Sequence, residues 1–187
     1  MGYYDDPKSV REYLDMAEGV DGRALVEVLA RHLAAGSTVL ELGMGPGKDL
    51  AFLSASYRVT GSDNAQTFLD LYRQSHPDAD LLLLDAVTID TERRFDGIYS
   101  NKVLQHLTRE EARASIRRQA EILTESGIAL HALWYGEGEE IFSGLRFVYY
   151  TEESFAALLG DAFEVVASAR YAEMETDDSI WFVMRKV

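Results

Sequence analysis

The sequence contains no cysteine among its 187 residues, which excludes disulfide bonds, thiolate nucleophiles and zinc–sulfur sites. Basic residues are few: 18 Lys and Arg stand against 32 Asp and Glu, for a formal net charge of −14. Such a charge repels a nucleic acid backbone, so we expect no nucleic acid partner. No apolar run approaches the ~20 residues of a membrane span, and residues 1–6 do not read as a targeting peptide. We therefore expect a cytoplasmic protein with no membrane partner.

The most informative stretch is a short apolar strand, residues 39–42, that runs into three alternating glycines. The glycines are Gly43, Gly45 and Gly47, and an apolar helical pattern follows them. A strand that breaks into glycines and then a helix is typical of a phosphate- or nucleoside-binding turn in an α/β sheet. Glycine allows the backbone to turn tightly and a ligand to approach it closely.

Three patterns compete for this turn. The nicotinamide fingerprint G-x-G-x-x-G fails at Lys48, and the P-loop fails because Leu42 replaces its first glycine and Asp49 its Ser/Thr. The third pattern, E-x-G-x-G-x-G, is met by Glu41 and the three glycines. With this motif the chain resembles the class I S-adenosylmethionine-dependent methyltransferases. A purely structural turn without a ligand is the remaining alternative.

Strand and helix patterns alternate along the chain, which predicts an α/β fold with a mostly parallel, doubly wound sheet. The resemblance implies a Rossmann-like sheet of seven strands that ends in a C-terminal antiparallel hairpin. We expect one domain over residues 1–187, in which N-terminal helices within residues 1–35 cover the cofactor site. Residues 135–150 break the pattern and are interpreted as a substrate loop. The expected strands are residues 39–42, 57–61, 81–84, 95–100, 128–134, 163–173 and 179–186.

Acidic residues end the second and third expected strands. The resemblance implies that Asp63 binds the ribose hydroxyls, that Asn64 lies near adenine, and that Asp85 and Ala86 contact the adenine ring. An N-cap role for Asp63 and a solvated strand end at Asp85 are the alternatives.

The segment after the fourth strand would hold the methionine end of the cofactor. Asn101 and Lys102 do not match the Asn/Asp-Pro-Pro-aromatic motif of enzymes that methylate adenine or amide nitrogen, which argues against those acceptors. A surface position is the alternative for Lys102. Tyr13 is expected to pack over the cofactor or in the core. The expected contacts of S-adenosylmethionine are Tyr13, Glu41, Gly43, Met44, Gly45, Asp63, Asn64, Asp85, Ala86, Asn101 and Lys102.

Two histidines are candidates for a general base, because histidine titrates near neutrality. His106 follows the fourth strand and His131 lies in the fifth, and a structural role is the alternative for each. The resulting hypothesis is methyl transfer to a small molecule, with oxygen favoured as the acceptor atom, by a monomer or homodimer without a metal. An aminopropyl transferase and a non-catalytic nucleoside-binding protein are the rivals. The first rival favours a glycine at the position of Met44 and paired acids near the fourth strand, which are lacking here.

Overall fold

The computed structural model describes residues 21–187, and Tyr13 and the first predicted helix lie outside these residues. The helices are α1 (Arg23–Leu29), α2 (Lys48–Leu53), α3 (Gln66–Ser75), α4 (Arg109–Ile122) and α5 (Glu152–Leu159), with a 3₁₀ helix at Leu104–His106. The strands are β1 (Thr38–Leu42), β2 (Arg58–Asp63), β3 (Leu81–Leu83), β4 (Phe95–Asn101), β5 (Leu123–Trp134), β6 (Glu139–Phe142), β7 (Leu145–Val148), β8 (Phe163–Tyr171) and β9 (Ser179–Lys186).

Seven strands form the main sheet in the order β3-β2-β1-β4-β5-β9-β8. The first five of these run parallel to one another, whereas β9 is antiparallel to both β5 and β8. The predicted fold class, including the C-terminal antiparallel pair, is therefore confirmed. The carboxyl ends of β1, β2, β3 and β4 meet at one edge of the sheet, where ligands bind in open α/β sheets.

Helices cover both faces of this sheet. On one face, Leu29 of α1 and Leu53 of α2 pack in a buried cluster with Val39 of β1. On the other face, Ile116 of α4 and Phe155 of α5 pack in a second buried cluster. Apolar residues of the inner strands are buried on both sides, because helices cover both faces of the sheet.

Residues 135–150 were expected to form a loop, and this interpretation was wrong in part, since strands β6 and β7 form a two-stranded hairpin there. The hairpin turns at Ser143 and Gly144, which have φ of 50° and 81°. Two successive residues with positive φ are the geometry of a two-residue hairpin turn whose twist matches the strands. The hairpin lies outside the main sheet and follows β5 directly.

Helix α4 begins after Thr108, which exchanges both hydrogen bonds of a capping box with Glu111. It ends at Ile122, because β5 starts at Leu123 and pairs there with Phe95. No helix within residues 21–187 combines the length and apolarity needed to cross a membrane.

Candidate active site

The glycine turn between β1 and α2 has a left-handed backbone at all three glycines. Gly43, Gly45 and Gly47 have φ of 68°, 49° and 83°. A side chain at Gly43 would overlap Val103, and one at Gly47 would overlap the ring of Tyr72. Glycine at these two positions therefore makes room for neighbouring side chains as well as for the turn.

Asp63, at the end of β2, faces this turn. Its Oδ2 accepts a hydrogen bond from the Gly45 amide at 2.9 Å, and its Oδ1 accepts one from the Ala65 amide at 2.9 Å. Burial raises the pKa of the Asp63 carboxyl, while the hydrogen bonds from the Ala65, Gly45 and Asn64 amides oppose the rise. Each carboxylate oxygen has a second acceptor position, so Asp63 can hold the turn and still receive hydroxyl groups of a ligand.

A cluster of carboxylates lies beneath the turn on the side of α2. Asp49 Oδ1 accepts from the Gly22 amide at 2.8 Å, and its Oδ2 accepts from the Tyr99 hydroxyl at 2.7 Å and from Asn101 Nδ2 at 3.1 Å. Glu41 pairs in register with Tyr99 across β1 and β4, so their side chains lie on the same face. Two predicted site residues therefore lie in this cluster. Asn101 is bonded to Asp49, and Glu41 lies beside Tyr99, which is bonded to the same carboxylate.

Two acceptor atoms in this cluster have no partner among residues 21–187. They are Glu41 Oε2 and Asn101 Oδ1, and both are buried. The pKa of Glu41 is well above its ordinary value because of burial first, and then because of the negative charges of Asp49 and Asp63. Unpaired acceptors among carboxylates favour a ligand that brings hydrogen-bond donors and positive charge.

The loop after β3 places Asp85 and Ala86 at the neighbouring strand end. Asp85 is exposed, and its Oδ1 accepts from the amides of Val87 at 2.6 Å and Thr88 at 3.3 Å. No hydrogen bond within residues 21–187 occupies its Oδ2. This oxygen is free to accept a hydrogen bond from a ligand.

Met44 and Lys102 were expected to contact the cofactor, and both contact other groups of the protein. The Met44 amide donates to the Ser62 carbonyl at 2.8 Å, and the Met44 side chain is buried in an apolar cluster with Leu50. Lys102 is not on the surface: Nζ contacts Glu173 Oε2 at 3.2 Å and lies 3.6 Å from the centre of the Trp134 ring. Both side chains are thus engaged with other groups of the protein.

The partners of Lys102 lie in β5, in β9 and in the segment between β8 and β9. Besides Glu173 and Trp134, they include the Ser179 hydroxyl at 2.6 Å and the Leu133 carbonyl at 3.2 Å. Burial lowers the pKa of Lys102 to about 8, although the charge of Glu173 opposes the shift. Lys102 thus fastens the end of β4 to β5 and to the segment that precedes β9.

His106 lies in the 3₁₀ helix after β4, below the hairpin. Its Nδ1 donates to the Arg146 carbonyl at 2.8 Å, and its ring meets Phe147 edge-on at 4.9 Å. Because a carbonyl only accepts, the proton of the neutral ring is on Nδ1, and Nε2 keeps its lone pair. Burial lowers the pKa of His106, so the ring is neutral at pH 7 and able to accept a proton.

His131 is fully buried in the sheet, and both ring nitrogens are in hydrogen bonds. Nδ1 lies 2.7 Å from Ser100 Oγ, and Nε2 lies 2.8 Å from Gln119 Oε1. Burial lowers its pKa to about 3. This geometry favours the structural alternative, because neither nitrogen is free to accept a proton from a substrate.

Comparison with known proteins fits this arrangement. Residues 39–127 match the model of a family described as a methyltransferase domain. A trans-aconitate 2-methyltransferase of Delftia acidovorans is 32% identical over 152 residues, covering 78% of this chain and 56% of the relative. The crystal structure of Burkholderia thailandensis 1,6-didemethyltoxoflavin-N1-methyltransferase, bound to its substrate and S-adenosylhomocysteine, superposes with a TM-score of 0.80 at 23% identity, covering 96% of this chain and 84% of that one.

Residues 39–127 thus match a methyltransferase domain, and the chain has the fold of S-adenosylmethionine-dependent methyltransferases. A second trans-aconitate 2-methyltransferase, from Methylobacterium radiotolerans, is 38% identical over 89 residues, covering 46% of this chain and 34% of that relative. The chain therefore spans about a third and about half of the lengths of these two curated relatives.

Sequence reasoning missed two members of the candidate site. Asp49 was considered only as a mismatch to the P-loop, although an acid in the first turn of the helix after the glycines was visible. Tyr99 lies within the expected fourth strand, residues 95–100, and nothing in the strand pattern distinguishes it from a core tyrosine. The register that places Tyr99 beside Glu41 belongs to the sheet and not to the strand.

Proposed function

We propose that this protein binds S-adenosylmethionine and transfers its methyl group to a small-molecule acceptor. One observation carries the proposal above the others. Glu41 Oε2 and Asn101 Oδ1 are buried acceptors without a partner among residues 21–187, within a carboxylate cluster at the glycine turn. S-adenosylmethionine has a sulfonium and an ammonium group, so it supplies both the positive charge and the donors that these atoms lack.

Asp63 and Asp85, at the same edge of the sheet, suit the ribose and the adenine of this cofactor. Asp63 would receive the ribose hydroxyls, since each of its oxygens keeps an acceptor position beyond its bond to a backbone amide. Asp85 Oδ2 would accept from the adenine amino group, beside the backbone of Ala86. When bound, S-adenosylmethionine supplies an electrophilic methyl group on a good leaving group, so the protein has mainly to align the acceptor and exclude water.

His106 is the proposed general base. Its Nδ1–H is held by the Arg146 carbonyl, which fixes the tautomer and leaves Nε2 to receive a proton from the acceptor. The hairpin that provides Arg146 and Phe147 covers this ring on one side. We therefore place the acceptor beside His106, beneath strands β6 and β7.

The acceptor atom is the finer part of the proposal. A neutral base is most useful when a hydroxyl loses its proton during transfer, so we favour oxygen. Nitrogen is the competing acceptor, and one structure with this fold is named as an N1-methyltransferase. Two relatives are named for trans-aconitate, which offers carboxylate oxygens.

Calorimetric titration with S-adenosylmethionine and S-adenosylhomocysteine tests the binding step. Incubation of the same protein with methyl-labelled S-adenosylmethionine and a panel of trans-aconitate, phenols and primary amines tests the transfer, with product identity read by mass spectrometry. We expect saturable binding of both nucleosides and a labelled product that contains a new O-methyl group. An N-methyl product would correct the acceptor atom. Binding without any product would favour the non-catalytic alternative, and absence of binding would refute the proposal.

A further inference from the structure

A chain of four hydrogen bonds crosses the core from β4 to the loop after β3. Ser100 Oγ donates to His131 Nδ1 at 2.7 Å, and His131 Nε2 donates to Gln119 Oε1 at 2.8 Å. Gln119 Nε2 donates to Ser115 Oγ at 3.1 Å, and Ser115 Oγ donates to the Ala86 carbonyl at 2.6 Å. All four polar side chains are fully buried. We call these four side chains the core relay.

Every link of the core relay runs in the same direction. The Gln119 amide oxygen only accepts, so His131 carries its proton on Nε2 and its Nδ1 must accept from Ser100. A fixed direction leaves the Ser115 hydroxyl proton for the Ala86 carbonyl. Buried polar groups are costly unless each is satisfied, and here each has a defined partner. The core relay therefore fixes the position of one backbone group, the Ala86 carbonyl.

The position it determines is the peptide between Ala86 and Val87. The carbonyl of this peptide accepts from Ser115 at 2.6 Å, and its N–H donates to Asp85 Oδ1 at 2.6 Å. The peptide is thus held on both sides. Because Asp85 Oδ1 is bound to this N–H, the orientation of the peptide also sets where Asp85 Oδ2 points.

Helix α4 holds the rest of the same loop in a similar way. Arg118 Nε donates to the Ile89 carbonyl at 3.2 Å, and Arg118 Nη2 donates to the Thr91 carbonyl at 2.7 Å. Ser115 and Gln119 are polar among the buried residues of α4, which otherwise include Ala112 and Ile116. A helix that only packed on the sheet would need apolar side chains at these two positions.

We propose that Ser115, supported by the core relay, is a positioning residue for recognition of the adenine amino group, acting through the Ala86–Val87 peptide on the Asp85 carboxylate. This inference rests on the proposed function, because it assumes that the adenosyl group binds beside Asp85. Ser115 does not itself contact the ligand. Its effect is therefore on selectivity for the amino group more than on binding as such.

The test compares two ligands that differ at this amino group. S-adenosylhomocysteine has it, and S-inosylhomocysteine has an oxo group in its place. We expect the wild-type protein to prefer the adenosyl ligand in calorimetry. In Ser115→Ala the preference should fall by roughly 3–10-fold, the range that corresponds to one hydrogen bond of ordinary net strength. The two dissociation constants are measured for each protein, and the ratio is the readout.

Thr124→Val provides the matched control. Thr124 Oγ1 donates to Asp96 Oδ1 at 3.2 Å near the amino-terminal edge of the sheet, away from the proposed site. This variant also loses one partly buried hydroxyl, and it should keep the wild-type ratio. If Ser115 has only a structural role, Ser115→Ala will weaken binding of both ligands equally and leave the ratio of their dissociation constants unchanged. That result would overturn the proposal.

A second variant protects the test against misfolding of Ser115→Ala, which thermal unfolding would reveal. Gln119→Met cuts the core relay one link earlier and leaves the Ser115–Ala86 bond possible. We expect a smaller fall in the ratio, and an unchanged ratio would refute a role for the relay. If wild-type protein binds neither ligand, the proposed function itself has failed, and this outcome is distinct from the others.

Discussion

Asp63 Oδ2 lies 2.9 Å from the amide nitrogen of Gly45, so the end of β2 is bonded to the turn that follows β1. The two residues are 18 positions apart in the chain. The same carboxylate bonds the Ala65 amide at the start of α3. Asp63 therefore bonds both the glycine turn and Ala65, but the N-cap of α3 is Ala65, so the expected N-cap role for Asp63 was wrong.

Replacing Asp63 tests its place in the proposed site. We expect Asp63→Ala to weaken binding of S-adenosylhomocysteine by about 1–3 kcal/mol, because partners of the carboxylate are left without an acceptor. Calorimetry measures the loss. Asp96→Asn is the control, since Asp96 accepts from the Thr38 amide at 2.9 Å at the other edge of the sheet. Equal affinity in wild type and Asp63→Ala would remove Asp63 from the site.

Glu41 should release a proton when the cofactor binds. Burial and the neighbouring charges of Asp49 and Asp63 raise its pKa in the free protein. A cationic ligand favours the ionised carboxylate and lowers that pKa, so affinity should rise with pH while the free carboxyl titrates. Titrations in buffers of different ionisation enthalpy measure the proton release, which should disappear in Glu41→Gln. Release that persists in this variant would assign the proton to another group. Exposed Glu164→Gln is the control.

His106→Ala should reduce turnover far more than cofactor binding. A positioned base contributes about 10²–10⁴-fold, so we expect kcat to fall within that range while the affinity for S-adenosylhomocysteine stays near wild type. Since burial lowers the pKa of His106, wild-type activity should decline with falling pH only below about 6.5, the ordinary value for histidine. Variant His76→Ala, at an exposed histidine, is the control. A parallel loss of binding and turnover would indicate a structural His106.

His131 should make stability depend on acid pH. Its pKa is lowered to about 3 in the folded protein, so below its ordinary pKa the unfolded state binds a proton that the folded state does not. The free energy of unfolding should therefore fall by about 2–3 kcal/mol between pH 6.5 and pH 4.5, at roughly 1.4 kcal/mol per pH unit. Urea denaturation of wild type and His131→Gln measures this difference. An identical pH dependence in both would contradict the assignment.

Two buried tyrosines should respond in opposite directions to loss of the hydroxyl. The Tyr150 hydroxyl has no hydrogen-bond partner within residues 21–187, so Tyr150→Phe should leave the melting temperature unchanged or raise it. The Tyr99 hydroxyl donates to Asp49 at 2.7 Å, and Tyr99→Phe should lower the free energy of unfolding by about 1–2 kcal/mol. Scanning calorimetry compares them. A destabilised Tyr150→Phe would show that its hydroxyl has a partner.

The mostly parallel sheet with its C-terminal antiparallel pair could be expected from the sequence, but the hairpin at residues 139–148 could not. Strand β6 is exposed throughout and β7 is mostly half-buried, and both are only four residues long, so the period of a strand is weak there. The turn at Ser143 and Gly144 was the available signal, since serine followed by glycine suits a tight hairpin. This hairpin is also what fixes the tautomer of His106.

The sequence alone determined the glycine turn after β1 and the acid that ends β2, because both follow from local rules about glycine, strand ends and helix starts. It also determined the alternation that produces a parallel sheet. Only the tertiary structure decided that Glu41 lies unpaired beside Asp49, that Lys102 is turned towards Glu173, and that His131 is enclosed while His106 keeps a free nitrogen. These outcomes depend on strand register and on which side chains share a buried space, and residues far apart in the chain set both.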